Sequence, residues 1–330
     1  MQKLAQVRIA MIGAGGVAVR HAQTLRGFPD VSVVAVADLD ATRARELADA
    51  CQARSYTDPA QMLDFECPDA TYICVPPFAH GPAELACVSH AVPFFVEKPL
   101  SVDLSVAVRI AAAVQDTGLL TATGYHWRYS DMVVEAAQIL ADHSPRVVIG
   151  SWLDTVPPVP WWVRRDRSGG QVVEQLTHVL DLLRVLVGEV EQVQAFGTHL
   201  PRPEHPDSDI DDVTVATLKM ACGALGTLTA SSLLRHKHRV GLEIVADGLA
   251  IELTETELRV ARDGSTRTRS PSNDAKVDVD RAFVDAVTGR GKDIRAPYAE
   301  ALLTHRLALA VAESVTTGRS ITVVPAGSPQ

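Results

Sequence analysis

Two residues in this chain have the types and settings needed to move a proton. Lys98 lies in PFFVEKPL, Pro93–Leu100, just past a short apolar run that reads as a β-strand. An amine there lies at the crevice where open α/β sheets bind ligands. His178 lies in SGGQVVEQLTHVLDLLR, Ser168–Arg184, where Glu174, His178 and Asp181 recur at i, i+4 and i+7 and would share one face of a regular helix. Val172, Val173, Leu176, Val179, Leu180, Leu182 and Leu183 make that helix apolar, so a polar stripe on it needs partners or an aqueous cleft. An imidazole exchanges protons near neutral pH, and Glu174 or Asp181 could orient it or stabilise its charged form. The plainer alternatives are a lysine paired with a nearby carboxylate and a satisfied core histidine. E-x-x-x-H and H-x-x-D are possible ligand spacings, but no further histidine or cysteine cluster completes them, so no metal is expected.

A third motif supplies a partner for such chemistry. Gly13-Ala14-Gly15-Gly16-Val17-Ala18 fits G-x-G-x-x-[GA], follows an apolar strand and opens a helix. Gly13 permits a tight turn, Gly15 lets the backbone approach a pyrophosphate, and Ala18 lets helix and strand pack closely. The helix N-terminus attracts phosphate charge. A second strand ends at Asp38, where a carboxylate would bond a ribose 2′-hydroxyl. Asp38 should repel a 2′-phosphate, which points to NAD; Leu39 follows it, and Arg43, one turn into the next helix, leaves NADP possible.

The elements that must position these residues are legible in outline. Strands are expected at Val7–Ile12, Val31–Ala37, Ala70–Val75, Pro93–Val96 and Leu119–Thr123, with helices between them at Ala41–Cys51, Gly81–His90 and Leu104–Thr117. Apolar strands alternating with helices form a parallel sheet covered on both faces. After Gly124 the pattern changes. A helix at Asp131–Asp142, a strand at Val147–Asp154, a Pro/Trp loop and a helix over Gln171–Val187 precede alternating strands at Val190–Thr198, Val213–Met220, Leu225–Leu234, Val240–Ala246 and Ala250–Leu253. Short turns between them predict a mostly antiparallel sheet. A helix at Tyr298–Thr316 and a short strand close the chain; Pro201–Asp212 and Arg262–Asp274 read as loops. The expected fold is an α/β N-terminal dinucleotide-binding domain, residues 1–123, plus an α+β C-terminal domain with a large, open, mostly antiparallel sheet, residues 124–330. The C-terminal helix is expected to return to the first domain.

Taken with the glycine turn and Asp38, Glu97-Lys98-Pro99 resembles the glucose–fructose oxidoreductase / inositol dehydrogenase (Gfo/Idh/MocA) family, and the likeness covers almost the whole chain. His21 matches a histidine common in the family's first helix. CVPPFAH, Cys74–His80, is similar to the family's T-P-N-x-x-H, with Pro77 in place of asparagine. GYHWRY, Gly124–Tyr129, resembles G-F-N-x-R-F, with His126 in place of asparagine and Arg128 matching the arginine. Ser168–Arg184 resembles G-G-x-x-x-D-x-x-x-H-x-x-D, with Glu174 for the aspartate while His178 and Asp181 match.

The resemblance implies a Rossmann domain, an often cis Lys98-Pro99 bond, and roles for Lys98 and His178 in proton transfer. It also implies that Val75, Pro76, Pro77, His80, Glu97 and Lys98 border the cofactor. Trp161, Trp162, Arg164 and Arg165 before the histidine helix, with His126, Trp127 and Arg128 at the domain crossing, could bind substrate, since aromatic faces suit sugar C–H faces and guanidinium groups suit hydroxyls. Packing or a subunit interface would use the same residues. The expected function is hydride transfer between a nicotinamide and a secondary alcohol or ketone of a sugar, cyclitol or sugar derivative. The alternatives are a glycosidase-like enzyme that works through transient oxidation with bound NAD, and a non-catalytic dinucleotide-sensing regulator.

Bulk properties narrow the classes. The 330 residues suggest two domains, and 47% hydrophobic with 22% charged residues is a globular balance. A formal charge of −9 argues against a broad nucleic-acid surface. No apolar run is long enough to span a membrane, and the apolar N-terminus leads straight into the glycine turn with no small-residue cleavage site, so it reads as a strand. Cys51, Cys67, Cys74, Cys87 and Cys222 form no C-x-x-C pair, as expected of reduced thiols in a cytoplasmic protein. A homodimer or homotetramer through the open sheet is expected, because an uncovered apolar sheet face is a liability.

Overall fold

A computed structural model of the chain describes residues 6–323. The chain divides into two compact units, Met1–Tyr125 with Lys276–Leu302, and His126–Ala275 with Leu303–Gln330. The division falls two residues past the boundary expected from sequence, and the segment that returns to the first unit is Lys276–Leu302.

The first unit holds β1 (Val7–Ile12), α1 (Gly16–Arg26), β2 (Val31–Ala37), α2 (Ala41–Cys51), β3 (Arg54–Tyr56), α3 (Pro59–Glu66), β4 (Ala70–Ile73), α4 (Pro82–Ser89), β5 (Phe94–Val96), α5 (Leu104–Thr117) and β6 (Thr121–Thr123). Its six strands are all parallel in the order β3-β2-β1-β4-β5-β6, the doubly wound order of a Rossmann fold. β1, β4 and β5 are buried almost throughout because helices cover both faces. Three of these helices start at a side-chain cap. Asp40, Asp58 and Asp103 accept from first-turn amides of α2, α3 and α5, which satisfies donors the helix itself cannot. Parallel strands put all their carboxyl ends on one edge, so Gly13, Asp38, Cys74 and Glu97, each just past a strand, lie on that edge.

The second unit holds α6 (Asp131–Leu140), β7 (Val147–Leu153), α7 (Arg165–Ser168), α8 (Thr177–Leu186), β8 (Val190–Thr198), β9 (Val213–Met220), β10 (Leu225–Ser231), β11 (Arg239–Ala246), β12 (Leu249–Thr254), β13 (Leu258–Arg262) and β14 (Ser265–Arg269). The chain then continues through α9 (Ala275–Val287), α10 (Tyr298–Thr317) and β15 (Ile321–Thr322). Nine strands form one sheet, β14-β13-β12-β11-β7-β10-β9-β8-β15, antiparallel except for β7 against β10. One face of the sheet is buried against α6, α8 and the later turns of α10; Val148, Leu228, Leu242, Leu180 and Leu307 belong to that core.

Four departures from the sequence reading have physical causes. β3 and α3 are short, and β3 is an exposed polar edge, so neither carries a strong pattern. The segment Arg262–Asp274, expected to be a loop, contains β14, whose residues are nearly all exposed. Its signal was the Asp263-Gly264 pair, both at positive φ, which makes the tight hairpin turn joining β13 to β14. The helix expected over Gln171–Val187 is not regular: Val172–Leu176 is a π-helical turn preceding α8. Glu174 lies in that π-helical turn, while His178 and Asp181 both lie within α8. Finally α9, unpredicted, supplies Val279, Phe283 and Val284 to the interior of the first unit. Among the described residues no helix is long and apolar enough to cross a membrane.

Phe283 is fully buried with its ring edge-on to Tyr72 and tilted against Phe95, at 5.5 and 5.8 Å between centroids. Phe283→Ala is expected to cost the first unit about 3–5 kcal/mol. The readout is urea unfolding by far-UV circular dichroism with tryptophan fluorescence as the contrast, since all four tryptophans lie in the second unit. A loss below about 1 kcal/mol would show that the returning segment is not part of that core.

Candidate active site

In the first unit the glycine turn is packed closely on one side and open on the other. Gly13 has φ +94, and a Cβ there would lie 2.3 Å from the Cys74 carbonyl oxygen, so the turn is pressed onto the end of β4. Gly15 and Gly16, by contrast, face open space. No side chain caps α1 and its first turn holds no acid. Its leading amides therefore present positive charge with no internal acceptor, as an anion site requires. Ala14 is buried, and Val17 is exposed beside the turn.

Asp38 shapes that turn. One carboxylate oxygen accepts from the Ala14 amide at 2.8 Å, and the other accepts from the Asp40 amide at 2.9 Å. Arg43 lies 3.3 Å from Asp38 and 3.4 Å from Asp40. A carboxylate has about four acceptor sites, so Asp38 retains capacity for a hydroxyl. Leu39 is 89% exposed, its side chain bare at the end of β2. These features fit the ribose and pyrophosphate of a dinucleotide.

On the same edge, Val75 and Pro76 are half-buried, and Pro77 starts a short 3-10 turn ending at Ala79. His80 is buried, with Nδ1 2.5 Å from Glu84, whose other oxygen accepts from the Gly81 amide at 2.7 Å. His80 thereby anchors the start of α4. The Lys98-Pro99 bond is cis. Glu97 turns its carboxylate inward: Oε1 lies 2.8 Å from His21 Nε2 and 3.1 Å from Arg20, and Oε2 accepts from the Lys98 amide at 3.1 Å. Burial pushes the Glu97 carboxyl up, but the His21 hydrogen bond and charge, with Arg20 and Lys98, overcome it and lower it to about 2.

The second unit carries the three polar residues of the histidine segment. Glu174 accepts from the Trp162 indole at 2.8 Å. Asp181 is buried and takes a bidentate pair from Arg128, at 2.8 and 2.7 Å, plus the Thr304 hydroxyl at 2.8 Å. Thr304 in turn accepts from Arg184, which is paired with Glu189. The His178 ring is nearly parallel to the indoles of Trp127 (6.5 Å, 18°) and Trp152 (5.7 Å, 19°), with His126 edge-on at 5.2 Å. Sequence reasoning brought His126, Trp127 and His178 into view but not Trp152, nor Lys237, whose ammonium lies 5.6 Å over the Trp152 ring. The signal for Trp152 was present: Val148, Gly150 and Trp152 alternate along β7 and face the core side.

Of the other expected substrate residues, Trp162 is fully buried and Trp161 half-buried. Arg164 is exposed, 3.5 Å from Asp209. Arg165 is held by Asp209 through its backbone amide and carbonyl contact and by Asp211 at 2.8 Å, which ties the loop together. Among the described residues no group of three or more His, Cys, Asp and Glu converges as metal ligands would.

Residues 7–125 match the oxidoreductase family with an NAD-binding Rossmann fold, and residues 144–252 match the GFO/IDH/MocA C-terminal domain. The chain is 28% identical over 230 residues to myo-inositol 2-dehydrogenase of Thermotoga maritima, covering 68% of each protein. It is 26% identical over 337 residues to inositol 2-dehydrogenase of Rhizobium meliloti, covering 96% of this chain and 99% of that one. Among solved structures, levoglucosan dehydrogenase in complex with NADH and L-sorbose shares the fold with a TM-score of 0.87 at 20% identity, over 97% of this chain and 99% of that chain. The open glycine turn, the strand-end lysine and the matched domains lead to one assignment: this chain belongs to the Gfo/Idh/MocA family of NAD-binding oxidoreductases.

Proposed function

We propose that this oxidoreductase interconverts a secondary alcohol and a ketone on a sugar or cyclitol, with Lys98 and His178 handling the proton. The observation that carries the reading is the placement of the anchored Lys98 and the uncapped glycine turn on one edge of the parallel sheet. Relatives named as inositol dehydrogenases support the substrate class. Bound NAD would supply the hydride acceptor. The amides of Gly15, Gly16 and Val17 would hold its pyrophosphate, and Asp38 would accept from the ribose. Lys98 or His178 takes the hydroxyl proton, and the other steadies the developing alkoxide by hydrogen bond or charge. The indole faces of Trp127 and Trp152 orient the imidazole and offer apolar surface to a sugar ring. Glu174 and Asp181 act by holding Trp162 and Arg128. The five unpaired thiols support a reducing, cytoplasmic setting.

The exposed face of the nine-stranded sheet supports assembly of copies of this chain. Val147, Ile149, Phe196, Val215 and Leu225 are exposed there, and the strand register puts them on the same side.

Lys98→Met and His178→Ala are each expected to lower turnover at least about 10²-fold while leaving NADH affinity within a few-fold of the parent. Near-normal turnover in both, assayed on a panel of sugars and inositols, would end the assignment. Titration with both cofactors should show tighter binding of NAD than NADP, because the Asp38 carboxylate repels a 2′-phosphate; the reverse order would show that Arg43 dominates. Light scattering should give a particle larger than the 35.4 kDa chain, reduced in size by the double substitution Val215→Lys, Leu225→Lys. A monomeric parent protein would remove the sheet face as an assembly surface.

A further inference from the structure

Three side chains from distant parts of the first unit converge beneath Lys98. His21, on α1, is fully buried, with Nδ1 2.7 Å from Asp280 on α9 and Nε2 2.8 Å from Glu97 at the end of β5. A carboxylate on each ring nitrogen at these distances favours a proton on both, while the Arg20 guanidinium, which can only donate, opposes one on Nε2. Burial opposes that charge, but Asp280 and Glu97 outweigh it and raise the His21 pKa. The other charged or titratable groups around the ring are Arg20, whose Nη2 lies 3.0 Å from Nε2, and Tyr72, whose ring lies 5.2 Å away. Phe95 closes the remaining side at 5.1 Å.

Such a chain is a poor choice for stability alone, because buried ion groups are often no better than packed apolar residues of the same volume. Its last link goes to the backbone of Lys98, whose amide donates to Glu97 Oε2. The site is also kept clear from another side, since a Cβ on Gly124 would sit 2.5 Å from that same oxygen. α1, which carries His21, begins at the glycine turn.

We propose that the Asp280–His21–Glu97 chain is a positioning device that fixes Lys98 at the sheet edge and links it to the dinucleotide-binding helix. This rests on the reading that Lys98 handles the substrate proton. His21, Asp280 and Glu97 touch neither the substrate nor the reacting atoms; they act through the Lys98 backbone.

The test uses the full-length enzyme and compares His21→Gln, Asp280→Asn, Gly124→Ala and Lys98→Met. Turnover is expressed per NADH-binding site. His21→Gln and Gly124→Ala are each expected to lower kcat about 10–100-fold, as small misplacements of a reacting group do, with KM and NADH affinity little changed. Asp280→Asn, which keeps an acceptor for Nδ1, should lie between them and the parent. In the Lys98→Met background His21→Gln should have no further effect. In the cofactor-free protein, 15N NMR should show both His21 nitrogens protonated at neutral pH.

A neutral His21 ring overturns the proposal. So does parental kcat in His21→Gln alongside an inactive Lys98→Met, or a parallel loss of NADH binding and kcat in both His21→Gln and Gly124→Ala. Parental turnover in Lys98→Met removes the reading of Lys98 itself, a result distinct from these. If His21→Gln alone fails to fold, Gly124→Ala moves the same carboxylate without altering the buried ions, and its kcat decides.

Discussion

A buried carboxylate at the end of β5 is the constraint around which the first unit is arranged. Taking Glu97 out of water is costly unless it is paired and hydrogen-bonded. The chain meets that cost with groups from three elements. α1 contributes His21 and Arg20, α9 contributes Asp280 behind His21, and the backbone of Lys98 supplies a donor. Each contributor must be in place for the others to be satisfied. The Rossmann unit is therefore completed by a segment that arrives some 150 residues later in the chain, as the pairing of Asp280 with His21 requires. Phe283, one turn along α9, packs on Tyr72 and Phe95 and brings apolar burial to the same junction.

The second unit solves a related problem differently. Its histidine helix is almost wholly buried, and the buried residues include Asp181 and Arg184. A ladder runs from Arg128 through Asp181, Thr304 and Arg184 to Glu189 and satisfies these groups in turn. Arg128 is thus an anchor for the segment His126–Tyr129, which also presents His126 and Trp127 to His178. The rings of His126, Trp127 and Trp152 flank the imidazole. Glu174, within the π-helical turn, accepts from the Trp162 indole.

Much of this was legible before any coordinates. The parallel strands of the first unit, the glycine turn and the end of β2 at Asp38 follow from apolar periodicity and turn chemistry, which act over a few residues. The second sheet was legible as alternation, up to β12. What escaped was short, polar or irregular. β3 has no apolar pattern, β14 is nearly all exposed, and α9 lies beyond the region where helix and strand alternate. The Asp263-Gly264 pair signals a turn, but the polar strand after it has no apolar alternation to mark it as a strand.

The candidate site divides in the same way. Residue identity and local setting alone singled out Gly13, Asp38, Lys98 and His178 as the groups proposed to bind a dinucleotide or move a proton. Only the tertiary structure decided their partners. His21 with Asp280, Arg128 with Asp181 and Thr304, and Trp152 beside His178 are pairings between residues tens to hundreds of positions apart. Local pattern sets the direction in which a side chain leaves its own helix or strand, whereas the group it meets depends on how distant elements pack. That information is spread over the whole chain, and no motif contains it.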